Sequence, residues 1–246
     1  MRLRDDRGFT LIELLTAISI GMIVLFGGFT IIDRSFANNQ NIVDRQDALQ
    51  RGRSALELIT RALRSQVCLQ TSPAATIPVV SGTGNSISFY AYLGDPTGLS
   101  VGRDATSNQP LPQQHTITYS STTNSITDTV ANVTSFSPVT TSAGATRTLV
   151  SNVRPVPSIG TIFQYYGPGS ATTGAAATTP MTLSGSPTPA LTATQRASIV
   201  QIGVAFRVLP IGTTNVNDPQ ATTFRDQVFW RSVDPENPTD EPCDNG

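Results

Sequence analysis

Gly8-Phe9-Thr10-Leu11-Ile12-Glu13-Leu14-Leu15 sets the architecture of this 246-residue chain. It opens an apolar run that ends near Ile32 and carries one carboxylate, Glu13, near its start. A charge at membrane depth costs on the order of a few kcal/mol, so a chain that keeps one there has a use for it. A short charged leader stands in front, with Arg2, Arg4 and Arg7 beside Asp5 and Asp6. Residues 9–32 would make roughly 36 Å of helix at 1.5 Å per residue, enough to cross a bilayer.

Proline divides the rest. Pro73 is the first of the chain's 17 prolines. Proline removes a backbone donor and clashes with the preceding helical turn, so residues 9 to about 70 can form one long helix. Its second half is amphipathic. Ile42, Leu49, Leu56 and Leu63 recur every seven residues, with Ala48, Ala55, Ile59, Ala62 and Val67 beside them. That is one apolar stripe on a 3.6-residue period. The other face carries Asp44, Arg45, Asp47, Arg51, Arg53, Glu57, Arg61 and Arg64. A free coiled coil is disfavoured because Arg45 and Gly52 fall in the seam. Gly27 and Gly28, adjacent in the apolar half, are a candidate bend. Ala17 and Gly21 form a small-xxx-small pair that permits close helix approach.

Beyond Pro73 the pattern changes to short β-prone runs separated by Gly, Pro, Ser and Asn. Strands are expected at 77–80, 86–92, 115–120, 125–130, 147–150, 161–166, 199–209 and 222–232, with a turn at Thr122-Thr123-Asn124. In the run 199–209, Val200, Ile202, Val204, Phe206 and Val208 alternate with Gln201, Gly203, Ala205 and Arg207, as a half-buried strand would. Val228 and Trp230 alternate with Gln227, Phe229 and Arg231 in the last run. Residues 167–197, rich in Gly, Ala, Thr and Pro, read as an exposed, mobile loop. The expected fold is α+β, with a long N-terminal helix packed on an antiparallel sheet.

Composition narrows the function. Every one of the 16 basic residues is arginine, which excludes lysine Schiff bases and P-loop lysines. Charged residues make up 13%, about half the usual share. A net charge of −1, with Arg103, Arg147, Arg154 and Arg196 scattered, offers no basic field for general nucleic-acid binding. Catalysis finds no support. No Gly-rich phosphate loop, nucleophile elbow or Cys/His cluster occurs. The single histidine, His115, reads as a surface or edge residue. No cofactor is expected. Cys68 and Cys243 suit a compartment where disulfides persist, and a bond between them would tie the acidic tail (Asp234, Glu236, Asp240, Glu241, Asp244) to the body. Two unrelated thiols are the alternative. The tail is rich in hard oxygen ligands, yet its spacing matches no EF-hand, and no metal site is assigned.

The leader and octet resemble the class III signal of type IV prepilins and type II secretion pseudopilins. That resemblance implies cleavage after Gly8 by a prepilin peptidase, N-methylation of Phe9, and Glu13 as the acidic residue guiding assembly. It divides the chain into a leader (1–8), a transmembrane or filament-core helix (9–32), its amphipathic continuation (33–70) and an extracytoplasmic β-rich domain with an acidic tail (71–246). The implied partners are the prepilin peptidase/methylase, other pilins or pseudopilins, the inner-membrane assembly platform, and membrane lipid before assembly. The implied location is a single-pass cytoplasmic-membrane anchor with the C-terminal domain outside, then a surface or periplasmic filament.

Later segments resemble the minor pseudopilin J and pilus-assembly W group. They are Arg147-Thr148-Leu149-Val150, Asn152-Val153, Phe163-Gln164-Tyr165-Tyr166 and Thr222-Thr223-Phe224. Many major pilins bend this helix with a proline, where this chain has Thr30. Both features point to a minor subunit that primes or caps a pilus or pseudopilus. A filament-tip binding subunit, for adhesion or DNA uptake, and a major pilin are the alternatives. Two plainer readings of the octet stand beside these. One is an ordinary anchor. The other is a secretory signal cut after Ser35-Phe36-Ala37, against which Glu13 and the length of the run both speak.

Overall fold

The computed structural model describes residues 10–69, 77–93, 111–136, 139–168, 178–213, 215, 218 and 220–229. The chain forms two compact units, residues 1–44 and 45–246. A single helix, α1 (Leu11–Arg64), supplies the described part of the first unit and enters the second. It runs without interruption through Gly27 and Gly28.

The first unit is helix whose large apolar side chains are exposed, among them Leu11 at 81%, Phe26 at 73% and Ile42 at 54%. Its hydroxyls turn back on the helix. Thr16 donates to the Glu13 carbonyl at 3.0 Å, Ser19 to Leu15 at 2.8 Å and Thr30 to Gly27 at 2.8 Å. Such back-bonding satisfies each hydroxyl without water.

In the second unit, residues 45–64 of α1 meet two antiparallel sheets. Strands β1 (Val79–Gly82), β2 (Ser86–Ala91), β3 (Gln113–Ser120), β4 (Ser125–Phe136) and β5 (Val139–Thr141) pair in that order, and β6 (Ala145–Ser151) pairs with β4. The second sheet centres on β9 (Gln201–Val208). Its partners are β10 (Thr222–Phe229), β7 (Val153–Pro155) and β8 (Phe163–Tyr166). Between β8 and β9 lies the short helix α2 (Ala193–Ala197).

The helix buries a narrower stripe than the leucine heptad implies. Ala48, Ala55, Ile59, Ala62 and Leu63 join the core, while Leu49 and Leu56 pack only at its edge. Small residues at the centre let the helix approach the sheets closely. Gly52 is the extreme case: a Cβ there would stand 2.0 Å from Cε2 of Phe224. The Phe224 ring fills that space and stacks on Phe206 at 5.6 Å. Arg51 locks the same helix turn. It pairs with Asp47 at 2.7 Å and donates to the carbonyls of Ser151 at 2.9 Å and Leu209 at 3.3 Å, at the ends of β6 and β9.

Several expectations are corrected. The sheet is split in two, because the chain leaves β6 through Asn152, at φ +57°, and starts the second sheet at once with β7. The Asn152 amide donates to the Leu209 carbonyl at 3.3 Å, holding that corner against the end of β9. β9 is buried on both faces, although its sequence alternates. It is the central strand, and its second face carries Gly203 and Ala205, small enough for the Tyr166 ring to lie over Gly203. The stretch 167–197 is not a featureless exposed loop among its described residues. Leu191 joins the core, Ala190 bridges to Thr83 and Ser184, and α2 starts with a capping box. There Gln195 N donates to Thr192 Oγ1 at 3.2 Å and Thr192 N to Gln195 Oε1 at 2.9 Å.

His115 is neither at the surface nor at an edge. It is fully buried and stacks on Phe89, its neighbour across β2 and β3. Its Nδ1 lies 3.2 Å from both carboxylate oxygens of Asp128, itself 1% exposed, and Arg147 donates to Asp128 at 3.1 Å. The register explains the cluster. His115 faces Val130, and Asp128 lies two residues along β4 on the same face and opposite Arg147 on β6.

Candidate functional site

The candidate site is the start of α1. Thr10 precedes the helix and Glu13 is its third residue. Thr10 Oγ1 accepts from the Glu13 amide at 3.3 Å, and the hydroxyl reaches the Glu13 carboxylate at 3.5 Å. The amides of Glu13 and Leu14 also donate to the Thr10 carbonyl, at 3.1 and 3.2 Å. This is the Thr-x-x-Glu start of a helix, with an acid set in the positive first turn. The capping role was legible in the sequence from the three-residue spacing alone and was missed. It gives Glu13 a local partner, while the carboxylate remains on an exposed surface.

Around Glu13 the surface is apolar. Leu11, Ile12, Leu14, Leu15 and Ile18 are all exposed. The helix is long and apolar enough to cross a membrane by length and composition. Exposed apolar surface on this scale calls for a covering, lipid or other apolar helices. Nothing lies within 4 Å of a Cβ built on Gly21, so the Ala17 and Gly21 pair presents open space.

Other sequence-derived sites fall elsewhere. Gly8 and Phe9 lie outside the described residues, as do Cys243 and the acidic tail. Cys68 follows α1, and no cysteine among the described residues is free. No group of three metal-ligating side chains occurs among the described residues. The His115, Asp128 and Arg147 cluster is closed from solvent at the histidine, and His115 Nε2 has no hydrogen-bond partner there.

Comparison with known proteins finds a match at the same end. Residues 3–29 match the prokaryotic N-terminal methylation motif. No curated protein and no solved structure matches the chain. The motif identifies a type IV prepilin-like class III signal peptide. It supports a type IV pilin-like or pseudopilin protein, a structural subunit in character. It implies processing by prepilin peptidase and assembly with other pilins, and with the apolar helix it fits a membrane-anchored pilin.

Proposed function

We propose that the chain is a minor pilin or pseudopilin that primes or caps assembly of a type IV pilus or type II secretion pseudopilus. The observation that carries this reading is one exposed apolar helix with Glu13 at its head, inside a methylation motif. Cleavage after Gly8 would create an amino group on Phe9. In a growing filament, Glu13 of an incoming subunit pairs with the Phe9 amine of a subunit already placed. Burying an unpaired charge is costly while a paired one is tolerated, so the pair acts mainly on register. The apolar surface of residues 11–36 exchanges lipid for neighbouring helices during this step. The minor assignment is supported by Thr30 in place of a helix-bending proline. It is also supported by the later motifs, which fall in order on β6, β7, β8 and β10.

Glu13→Gln tests the pairing, because it keeps an acceptor for the Thr10 cap and removes the charge. The expected result is normal membrane insertion and processing, with the subunit depleted from sheared filaments. Undiminished incorporation would contradict the pairing.

A further inference from the structure

The first sheet carries an ordered array of hydroxyls on one face. Ser86, Thr118, Thr127 and Thr148 face one another across β2, β3, β4 and β6, and Ser88, Thr116, Thr129 and Thr146 form the adjoining row. Ser120, Ser125 and Ser151 add a shorter row on β3, β4 and β6. Between the two long rows stand Ile87, Ile117, Asp128 and Arg147. Strand alternation turns these to the opposite face, where Ile87, Ile117 and Asp128 are buried and Arg147 pairs with Asp128. Both charges of this stretch are thereby drawn off the hydroxyl face. Thr146 and Thr148 are exposed, and Ser86, Thr116, Thr118, Thr127 and Thr129 are half-buried. Ser88 is buried, and the Gln114 amide donates to it at 2.8 Å. Neighbouring strands lie about 4.8 Å apart and alternate residues of one strand about 6.8 Å apart, so the rows together cover about 14 Å in each direction.

We infer that this face binds an extended, neutral, β-linked glycan. Within the rows, Ser86 pairs with Thr118 at 2.8 Å, Thr116 donates to Ser88 at 3.0 Å and Thr129 pairs with Thr146 at 2.8 Å. A hydroxyl holds one donor and two lone pairs, so the Ser86–Thr118 and Thr129–Thr146 pairs each keep a donor and acceptors for a partner. The Thr148 hydroxyl has no partner among the described residues. The array is neutral, which gives a nucleic acid or an acidic peptide no charge to meet. An apolar protein face would take water from the hydroxyls and leave them unpaired, at a cost for each. A sugar ring suits the array, because each of its hydroxyls both donates and accepts. Hydroxyls that recur at the strand spacing fit a ligand that itself repeats, and β-linkage keeps a glycan chain extended enough to lie along a row. Cross-strand hydroxyl pairs also support a sheet, but that role does not require a charge-free run across four strands. The inference does not depend on the filament reading.

The test uses the full-length chain in a detergent without a sugar headgroup. Chitin and microcrystalline cellulose are the probes, and the protein that sediments with each is measured. The variant combines Thr127→Val, Thr129→Val, Thr146→Val and Thr148→Val, which removes four hydroxyls and keeps the β-branched shape. Expected is binding of the unaltered chain to at least one of the two glycans and a several-fold loss in the variant. Binding should persist in about 1 M salt, where the Debye length falls to about 3 Å. Thermal unfolding checks that the variant folds. If it does not, Thr146→Val with Thr148→Val, both on β6, replaces it and should show a smaller loss in the same direction. No binding of the unaltered chain to either glycan overturns the inference, as does equal binding by the folded variant or release by salt. Capture on growing ice without binding to either glycan assigns the array to ordered water instead, and also overturns it.

Discussion

Asp128 is a buried acid that gathers His115 and Arg147 around its carboxylate. Its carboxylate accepts from Arg147 at 3.1 Å and faces Nδ1 of His115 at 3.2 Å, in a domain whose buried core is otherwise mainly apolar. Removing its charge leaves a guanidinium without its counter-ion. Breaking one partner of such a pair costs more than replacing the whole cluster. Asp128→Asn should destabilise by about 2–4 kcal/mol, lowering Tm by roughly 5–15 °C in a domain of this size. Thermal unfolding of the full chain measures it; a change under about 2 °C would mean the cluster is solvated rather than part of the core. His115 could not be placed from sequence. The alternation through 113–120 puts it on the face of Ile117 and Tyr119, but a polar residue in that position is normally read as an edge. Only the register with β4 reveals its acid partner. Glu13 is the opposite case, since the apolar run around it shows its oddity without any tertiary information.

Gly52 belongs to the scale of elements, because it fixes how α1 crosses the second sheet. In an exposed helix, Gly→Ala gains about 1 kcal/mol from propensity. Here the new methyl would overlap the Phe224 ring, held in turn by Phe206. Overpacking costs about 1–3 kcal/mol, and with Cε2 of Phe224 only 2.0 Å from the new carbon the clash outweighs the gain, so Gly52→Ala should destabilise by up to about 2 kcal/mol. In a Phe224→Leu background the same change should be neutral or stabilising. A double-mutant cycle by denaturant unfolding separates the two; a stabilising Gly52→Ala in the native background would contradict the packing.

The elements themselves were unequally legible. α1 was read nearly whole, since it lacks proline and keeps one period. β2, β3, β6 and β9 were read within two residues, and β10 starts where the expected run 222–232 starts, the last three positions of that run lying outside the described residues. The three-residue strands β5 and β7 carry too few side chains to show alternation, and they exist only through their partners. α2 announced itself only by Thr192-Ala193-Thr194-Gln195, a capping box with no apolar period behind it. The heptad of leucines was a partial guide, because close approach of helix to sheet favours alanine and glycine at the centre.

At the scale of the whole molecule, Tyr165 ties the second sheet to the first. Its hydroxyl on β8 lies within hydrogen-bond distance of the carbonyls of Thr83, in the turn after β1, and Ser86, the first residue of β2, at 2.9 and 3.2 Å. Burial pushes its phenol far above the ordinary value near 10. The folded state therefore keeps a proton that the unfolded chain releases near pH 10, and stability is full below that pH and falls above it. Tyr165→Phe should cost about 1 kcal/mol at neutral pH and flatten the loss of stability above pH 10. Urea titrations at pH 8 and above pH 10 check this, and an unchanged alkaline slope would refute it.

The two ends of the molecule carry its proposed biology. The amino-terminal helix offers apolar surface that calls for a cover of lipid or other apolar helices. Under the proposed function the leader is removed before assembly, a step that can be observed directly. Intact and N-terminal mass spectrometry should be run on the protein from membranes and from sheared surface material. The account predicts a chain beginning at N-methylated Phe9 in both fractions. A chain beginning at Met1 or Asn38, or one confined to membranes, would contradict the account.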